Sequence, residues 1–191
     1  MQRCTWAEGG GAAMLAYHDR EWGVPQHDDR ALFELLTLEG AQAGLSWRTV
    51  LERRDEYRRA YHGFDIGRVA RMRDAELEKL LVASGVIRNR MKVLSVRDNA
   101  RVALGVIEEH GNLDAYLWSF VGGVPIVNHR QSAKAVPATS DISDRMSKTL
   151  KKRGFRFVGS TICYAFMQAT GMVNDHLVGC FRYKECGHAE Q

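Results

Sequence analysis

The sequence predicts an all-α fold. Helix-starting residues recur along the 191 residues, glycines stand where those helices should stop, and the period-two alternation of strands is scarce. Asp28 and Asp29 are placed to cap a helix carrying Leu32, Phe33, Leu36 and Leu38. Ser46 caps the next, on which Trp47, Val50, Leu51, Tyr57 and Tyr61 form a broad apolar stripe. Asp65 precedes a short helix through Met72. Asp74 caps another with Leu77, Leu80 and Leu81 inward, and Gly85 is placed to end it in a left-handed conformation. A long helix is expected over 89–109, stopping at Gly111, and another over 113–121, stopping at Gly122 and Gly123. Residues 125–139 are expected to form a polar loop. Ser140 or Asp141 starts a helix through Arg153, ended by Gly154, and Ser160 starts the last full helix, ended by Gly171. Short turns between helices complete the architecture.

A chain of 191 residues with 45% hydrophobic residues can build one real core, so a single domain over 1–191 is expected. No apolar run approaches the ~18 residues of a membrane span. The opening residues MQRCTWAEGGGAAM lack the apolar stretch of a signal peptide, so a cytoplasmic location is expected. Cys4, Cys163, Cys180 and Cys186 are too few for a disulfide scaffold and suit thiols or metal ligands. The net charge is +4, and its basic residues cluster. Arg48, Arg53, Arg54, Arg58 and Arg59 form one group, Arg88, Arg90 and Lys92 a second, and Lys148, Lys151, Lys152, Arg153 and Arg156 a third. Each alone fits a solvated helix face; together they favour a nucleic-acid partner.

Two motifs carry candidate chemistry. The segment LLVASGVIRNRMKVL, 80–94, reads as helix, glycine turn, helix. The N–H groups of such a turn can hold a phosphate without reading sequence, and Gly85, Arg88 and Lys92 are its candidate DNA-backbone residues. NDHLVGC, 174–180, places His176 and Cys180 four apart, on one face if helical. These two could be half of a zinc site. The other half is either local, from Cys186 and His188, or distant, from Cys4 and His18; loop-closure entropy favours the local set.

The stretches RCTWA (3–7), AYHDREWGVP (16–25), LFELLTLEGAQAGLSWRTVL (32–51), KKRGFRFVGSTICYAFMQATG (151–171) and NDHLVGC (174–180) closely resemble the DNA-3-methyladenine glycosylase I family. The resemblance runs from Arg3 to about Cys180 and leaves 181–191 as a tail. It implies a helix–hairpin–helix glycosylase-like fold. It also implies one structural zinc per chain on Cys4, His18, His176 and Cys180, joining the two ends of the chain, with Cys186 and His188 as bystanders. Four protein ligands leave no open position for activating water.

The implied activity is excision of 3-methyladenine from alkylated double-stranded DNA by a monomer, with no membrane partner. Such an enzyme extrudes the base, hydrolyses its bond to the sugar and leaves an abasic site. By resemblance, Glu39 is the catalytic and base-binding carboxylate, its charge matched to a cationic purine and its oxygens to the N6 amine. Tyr17 and Trp47 match aromatic pocket residues, and Trp6 and Trp22 fall in neighbouring blocks. The family carries no activating Asp at the place usual in related glycosylases, so catalysis is expected to rest on binding the departing base better than the intact one. One departure stands out: Met14 occupies a position where the family often carries a second tyrosine. That keeps a shifted substrate, 3-methylguanine, as the alternative. A non-catalytic DNA binder using the hairpin alone is a second alternative, and a catalytic zinc hydrolase a third.

Overall fold

The computed structural model describes residues 1–83 and 85–187. Helices α1 (Thr5–Glu8) and α2 (Gly11–Arg20) open the chain, followed by α3 (Asp29–Gln42), α4 (Trp47–Leu51) and α5 (Arg54–Ala60). Next come α6 (Ile66–Ala70), α7 (Asp74–Ala83), α8 (Arg90–His110) and α9 (Leu113–Trp118). Strand β1 (Ile126–Val127), α10 (Asp141–Arg153), α11 (Ser160–Ala169), strand β2 (Val173–Asn174) and α12 (Arg182–Gly187) complete it. Among the described residues no helix is long and apolar enough to cross a membrane.

The helix α3 is the centre of the molecule. Every residue from Leu32 to Ala41 is buried, because α4, α8, α9 and α11 all pack on it. A helix apolar nearly all round has no solvent face to keep, which makes the one charged residue in its second half, Glu39, conspicuous. Asp28 caps α3 through the N–H of Ala31, and Ser46 caps α4 through that of Thr49. Asp65, Asn89, Asn112 and Ser140 cap α6, α8, α9 and α10 in the same way.

Four sequence expectations need correction, and a fifth rests on a residue outside those described. The stripe from Ser46 to Tyr61 is two helices, not one, broken at Glu52–Arg53 so that Arg54 reaches Glu21 and Glu34. Asp74 is the first residue of α7 and pairs with Arg97; the N–H of Arg73 is instead accepted by Glu76 at 2.8 Å. The left-handed closure expected at Gly85 depends on Ser84, which lies outside the described residues. The loop 125–139 contains β1, which pairs in parallel with β2, Ile126 opposite Val173 and Val127 opposite Asn174. That pairing lies 2 residues from His176 and ties the loop to the candidate metal segment. Residues 182–187 of the expected tail form α12, with Cys186 buried; His188 lies outside the described residues.

Candidate metal centre and adjoining cavity

Cys4 precedes α1, His18 lies in the last turn of α2, and His176 and Cys180 follow β2. The fold brings one ligand atom of each within 4.8 Å of the others, all buried. Cys4 Sγ and Cys180 Sγ each lie 3.6 Å from His176 Nδ1, and Cys180 Sγ lies 3.5 Å from His18 Nε2. Bonds of 2.3 Å to sulfur and 2.0–2.1 Å to nitrogen put the edges of a tetrahedron at about 3.6 Å. The donor set and its spacing therefore fit one tetrahedral metal ion. Cys186 is not part of this group.

The outer ring nitrogens are also held. Asp19 Oδ1 lies 2.8 Å from His18 Nδ1, and the carbonyl of Trp22 lies 2.9 Å from His176 Nε2. These contacts fix which nitrogen of each imidazole faces the cluster. Arg3 in turn grips Asp19 with two nitrogens, holding that carboxyl down at about 2. Burial pushes the Cys4 thiol up to about 12 and the His176 imidazole down to about 4. His176 is thus already in its neutral ligand form, while the Cys4 thiol needs a cation to lose its proton.

Beside the cluster lies a cavity of about 450 Å³. Cys4 and Leu177 line it together with the aromatic side chains Trp6, Tyr17, Trp22 and Trp47. The rings are contiguous: Trp47 lies 5.2 Å from Tyr17, Trp6 lies 6.4 Å from Tyr17 and 5.0 Å from Trp22, and Trp22 lies 4.6 Å from His176. An unbroken aromatic path joins the cavity to the metal cluster. Met14 also lines the cavity.

Glu39 enters this cavity from α3. Its residue is 3% exposed, and its Oε2 has no hydrogen-bond partner. Burial pushes its pKa up to about 8, so the carboxyl is largely protonated at neutral pH. That revises the charged Glu39 expected from sequence. The Tyr17 hydroxyl and the Trp47 indole N–H are also buried without partners. Three unpaired polar atoms around one cavity are unusual in a folded protein, where buried polar groups find partners. Burial holds the Tyr17 hydroxyl well above its usual pKa, so it is a neutral donor.

Asp175 lines the same cavity and is its opposite. One oxygen accepts from Asn128 at 2.8 Å and Arg130 at 3.2 Å, the other from Tyr164 at 2.6 Å and Gln168 at 2.8 Å. Both oxygens are fully engaged, which leaves none free to activate water. Sequence reasoning passed over Asp175, Gln42 and Gln168, all of which line the cavity. Asp175 sits inside NDHLVGC, but its four donors come from other segments.

The expected DNA-backbone residues separate. Arg88 is exposed. Gly85 lies against the Glu56 side chain: a Cβ placed there would meet Glu56 Cγ at 2.4 Å. Lys92 is not a surface cation. It is 9% exposed, and its Nζ donates to the carbonyls of Ala41 at 2.9 Å and Ala43 at 2.6 Å. Helix α3 ends there with unsatisfied carbonyls, and the ammonium meets them. The first arginine group also changes meaning. Arg48, Arg54, Arg58 and Arg59 are all ion-paired, with Glu52, Glu21 and Glu34, Glu34 and Asp55, and Glu56.

Comparison with known proteins adds four findings. A family model described as methyladenine glycosylase matches residues 6–183. The DNA-3-methyladenine glycosylase 1 of Escherichia coli (strain K12) is 47% identical over 183 residues, which are 96% of this chain and 97% of that one. A crystal structure of a 3-methyladenine DNA glycosylase I superposes with a TM-score of 0.90 at 49% identity, covering 94% of this chain and 98% of the other. A variant of such an enzyme, in complex with 3-methyladenine, also reaches a TM-score of 0.90, at 32% identity over 95% of this chain and 97% of its own.

Proposed function

The chain belongs to the methyladenine glycosylase family and excises 3-methyladenine, and from that premise we propose how its own residues do so. The cavity walled by Trp6, Tyr17, Trp22 and Trp47 receives the extruded base, and the unpaired polar atoms of Glu39, Tyr17 and Trp47 await it. That constellation is the observation that carries the reading. Stacking on such rings contributes roughly 1–3 kcal/mol per base, and a cationic purine gains more from their faces.

Glu39 is the recognising acid. Along its major-groove edge adenine offers N7 as acceptor and the N6 amine as donor. A protonated carboxyl offers one donor and one acceptor, the complementary pair. The 3-methyl group makes the purine cationic and a good leaving group. As the bond to the sugar breaks, its electron pair flows into the base, which becomes neutral, and N7 grows more basic. A hydrogen bond from Glu39 to N7 therefore strengthens in the transition state, which is the differential binding that catalysis needs. A fixed carboxylate would favour the cationic ground state instead. Water then adds to C1′ of the sugar and gives up a proton to solvent, leaving an abasic site. No lysine lines the cavity among the described residues, so we propose a monofunctional enzyme without a covalent amine intermediate. 3-Methylguanine presents O6, an acceptor, where adenine presents its amine; it matches one half of Glu39 only, which disfavours it.

Zinc on Cys4, His18, His176 and Cys180 is the fitting metal, and its four protein ligands assign it to holding the ends of the chain beside the cavity. The remainder of the proposal is a single-domain cytoplasmic monomer of helix–hairpin–helix type, in which α7, α8 and exposed Arg88 meet the phosphates of double-stranded DNA. Incubation with alkylated duplex, followed by chromatography of the released bases, tests this reading. The expected product is 3-methyladenine with little 3-methylguanine and no strand cleavage; equal release of both bases would overturn the role given to Glu39. Arg88→Ala should weaken binding to any duplex alike and make its salt dependence shallower.

A further inference from the structure

Lys92 lies in the first turn of α8, directly after the turn that joins α7 to α8, yet its ammonium reaches a different part of the molecule. Its two acceptors bracket the end of α3, Ala41 inside the helix and Ala43 just past it. The chain then turns at Gly44, with φ at 78°, exposes Leu45 and enters α4 at Trp47. Gln42 and Trp47, on either side of this turn, line the cavity, and Glu39 lies one helical turn before Gln42. The turn has few bonds of its own, among them the Leu45 N–H to the Gln42 carbonyl at 2.6 Å. Lys92 thus joins the helix that begins at the hairpin to the rim of the base cavity through two buried hydrogen bonds.

We propose that Lys92 is a positioning residue for base excision, tying the hairpin end of α8 to the 43–47 turn so that Trp47 and Gln42 are set against Glu39 when DNA docks. The inference deepens the reading of the cavity as the base pocket and rests on it. It also replaces the phosphate contact expected of Lys92 from sequence. Buried two-point bonding to carbonyls is incompatible with a solvent-facing phosphate ligand, and a tether between docking surface and pocket rim is the kind of contact that fixes reacting geometry from a distance.

Lys92→Met keeps the stem and removes both donors. Single-turnover release of 3-methyladenine should fall roughly tenfold or more, about 1.4 kcal/mol. Hydrogen exchange should quicken at the amides of 43–47 and not across α10, which packs on α11 and not on this turn. Affinity for undamaged duplex and the slope of its salt dependence should stay at wild-type values. A general loss of stability would not leave duplex affinity intact while loosening one turn. Release within twofold of wild type, or a weaker duplex affinity with a shallower salt slope, overturns the proposal. So does unchanged exchange at 43–47. Should Lys92→Met not fold, Lys92→Gln, with a shorter stem and an amide donor, is read by the same three measurements and the same outcomes. The exchange measurement needs no activity. A wild-type chain that released no 3-methyladenine would therefore sink the functional reading while the tether was still tested.

Discussion

In the lining of one cavity, four donors converge on the buried carboxylate of Asp175, whereas the buried Glu39 oxygen has none. Both groups are acidic, both lie in the same small volume, and both are almost wholly hidden from water. Burial alone therefore does not decide what a carboxyl does here. Asp175 lies between β2 and His176, and its donors from α11 and the 128–130 segment hold the metal-binding stretch in place. Glu39 has been left with its protonation raised and an oxygen open. The satisfied carboxyl ties segments of the fold together, and the unsatisfied one is the group the proposed function gives to the base. An unmet buried polar group costs ~1–3 kcal/mol, a cost borne at the pocket and offset by the rest of the fold.

Breaking the metal cluster next to Asp175 should have the largest effect. Cys180→Ser removes one ligand of the four. Bound metal is expected to fall from one per chain to well below it, and because metal binding is coupled to folding the loss should be on the order of 3 kcal/mol or more. For a chain of this size that is roughly 10 °C in Tm. Elemental analysis and thermal melts check both. Cys186→Ser should leave the metal content untouched; metal lost from that variant but kept in Cys180→Ser would restore the local knuckle of Cys186 and His188 and overturn the assignment.

The next test acts on the open carboxyl. Glu39→Gln keeps the shape and the capacity to donate and accept but removes the acidity. Excision of 3-methyladenine should fall at least roughly tenfold, since 1.36 kcal/mol is one decade of rate. Stability should move the other way, with a pH dependence whose sign is fixed. The folded pKa of Glu39, about 8, lies above its ordinary value of 4.5. Below pH 4.5 both folded and unfolded chains hold the proton, and the group adds no pH dependence. Between 4.5 and about 8 the unfolded chain ionises and the folded one does not, so wild-type stability falls by about 1.4 kcal/mol per pH unit at most. Above that window the loss is complete. Glu39→Gln lacks this titration, so its Tm should match wild type near pH 4.5 and exceed it near pH 8. Melts of both proteins across the window decide this, and a variant less stable than wild type at pH 8 would falsify the protonated Glu39.

The two regions also differ in how far sequence revealed them. Caps at Asp28, Ser46 and Ser140 were legible because each acts within three residues of itself. The parallel pairing of Ile126 with Val173 was not, because two-residue strands carry no alternation to read. Spacing alone left the metal ligands open between a local and a distant set; resemblance, not loop length, pointed to Cys4 and His18. Glu39, Tyr17, Trp47, Trp6 and Trp22 were each named from sequence and line one cavity. The protonation of Glu39 was illegible, since it follows from packing by four other helices. Lys92 read as a phosphate ligand because it follows a basic turn, and only the path of α3 shows where its ammonium goes.

The smallest expected effect makes the finest comparison, because one chemical edit can be made in both regions. Tyr164 donates to Asp175 at 2.6 Å, whereas the Tyr17 hydroxyl has no partner. Tyr164→Phe deletes a hydrogen bond to a charged group, expected to cost ~1.5–3 kcal/mol and to lower Tm by about 5 °C. Tyr17→Phe deletes a buried hydroxyl that bonds to no other group of the protein, so no folded-state bond is lost and a desolvation cost is removed. Its Tm should be unchanged or higher by up to about 3 °C. Its excision rate should fall, but by less than about tenfold, because one neutral hydrogen bond to the base contributes about 0.5–1.5 kcal/mol. Tyr164→Phe should keep whatever activity its folded fraction allows. Parallel melts and single-turnover assays read the four numbers. If the two substitutions lower Tm equally, the Tyr17 hydroxyl has a partner after all, and the contrast between a satisfied and an open part of the cavity lining does not hold.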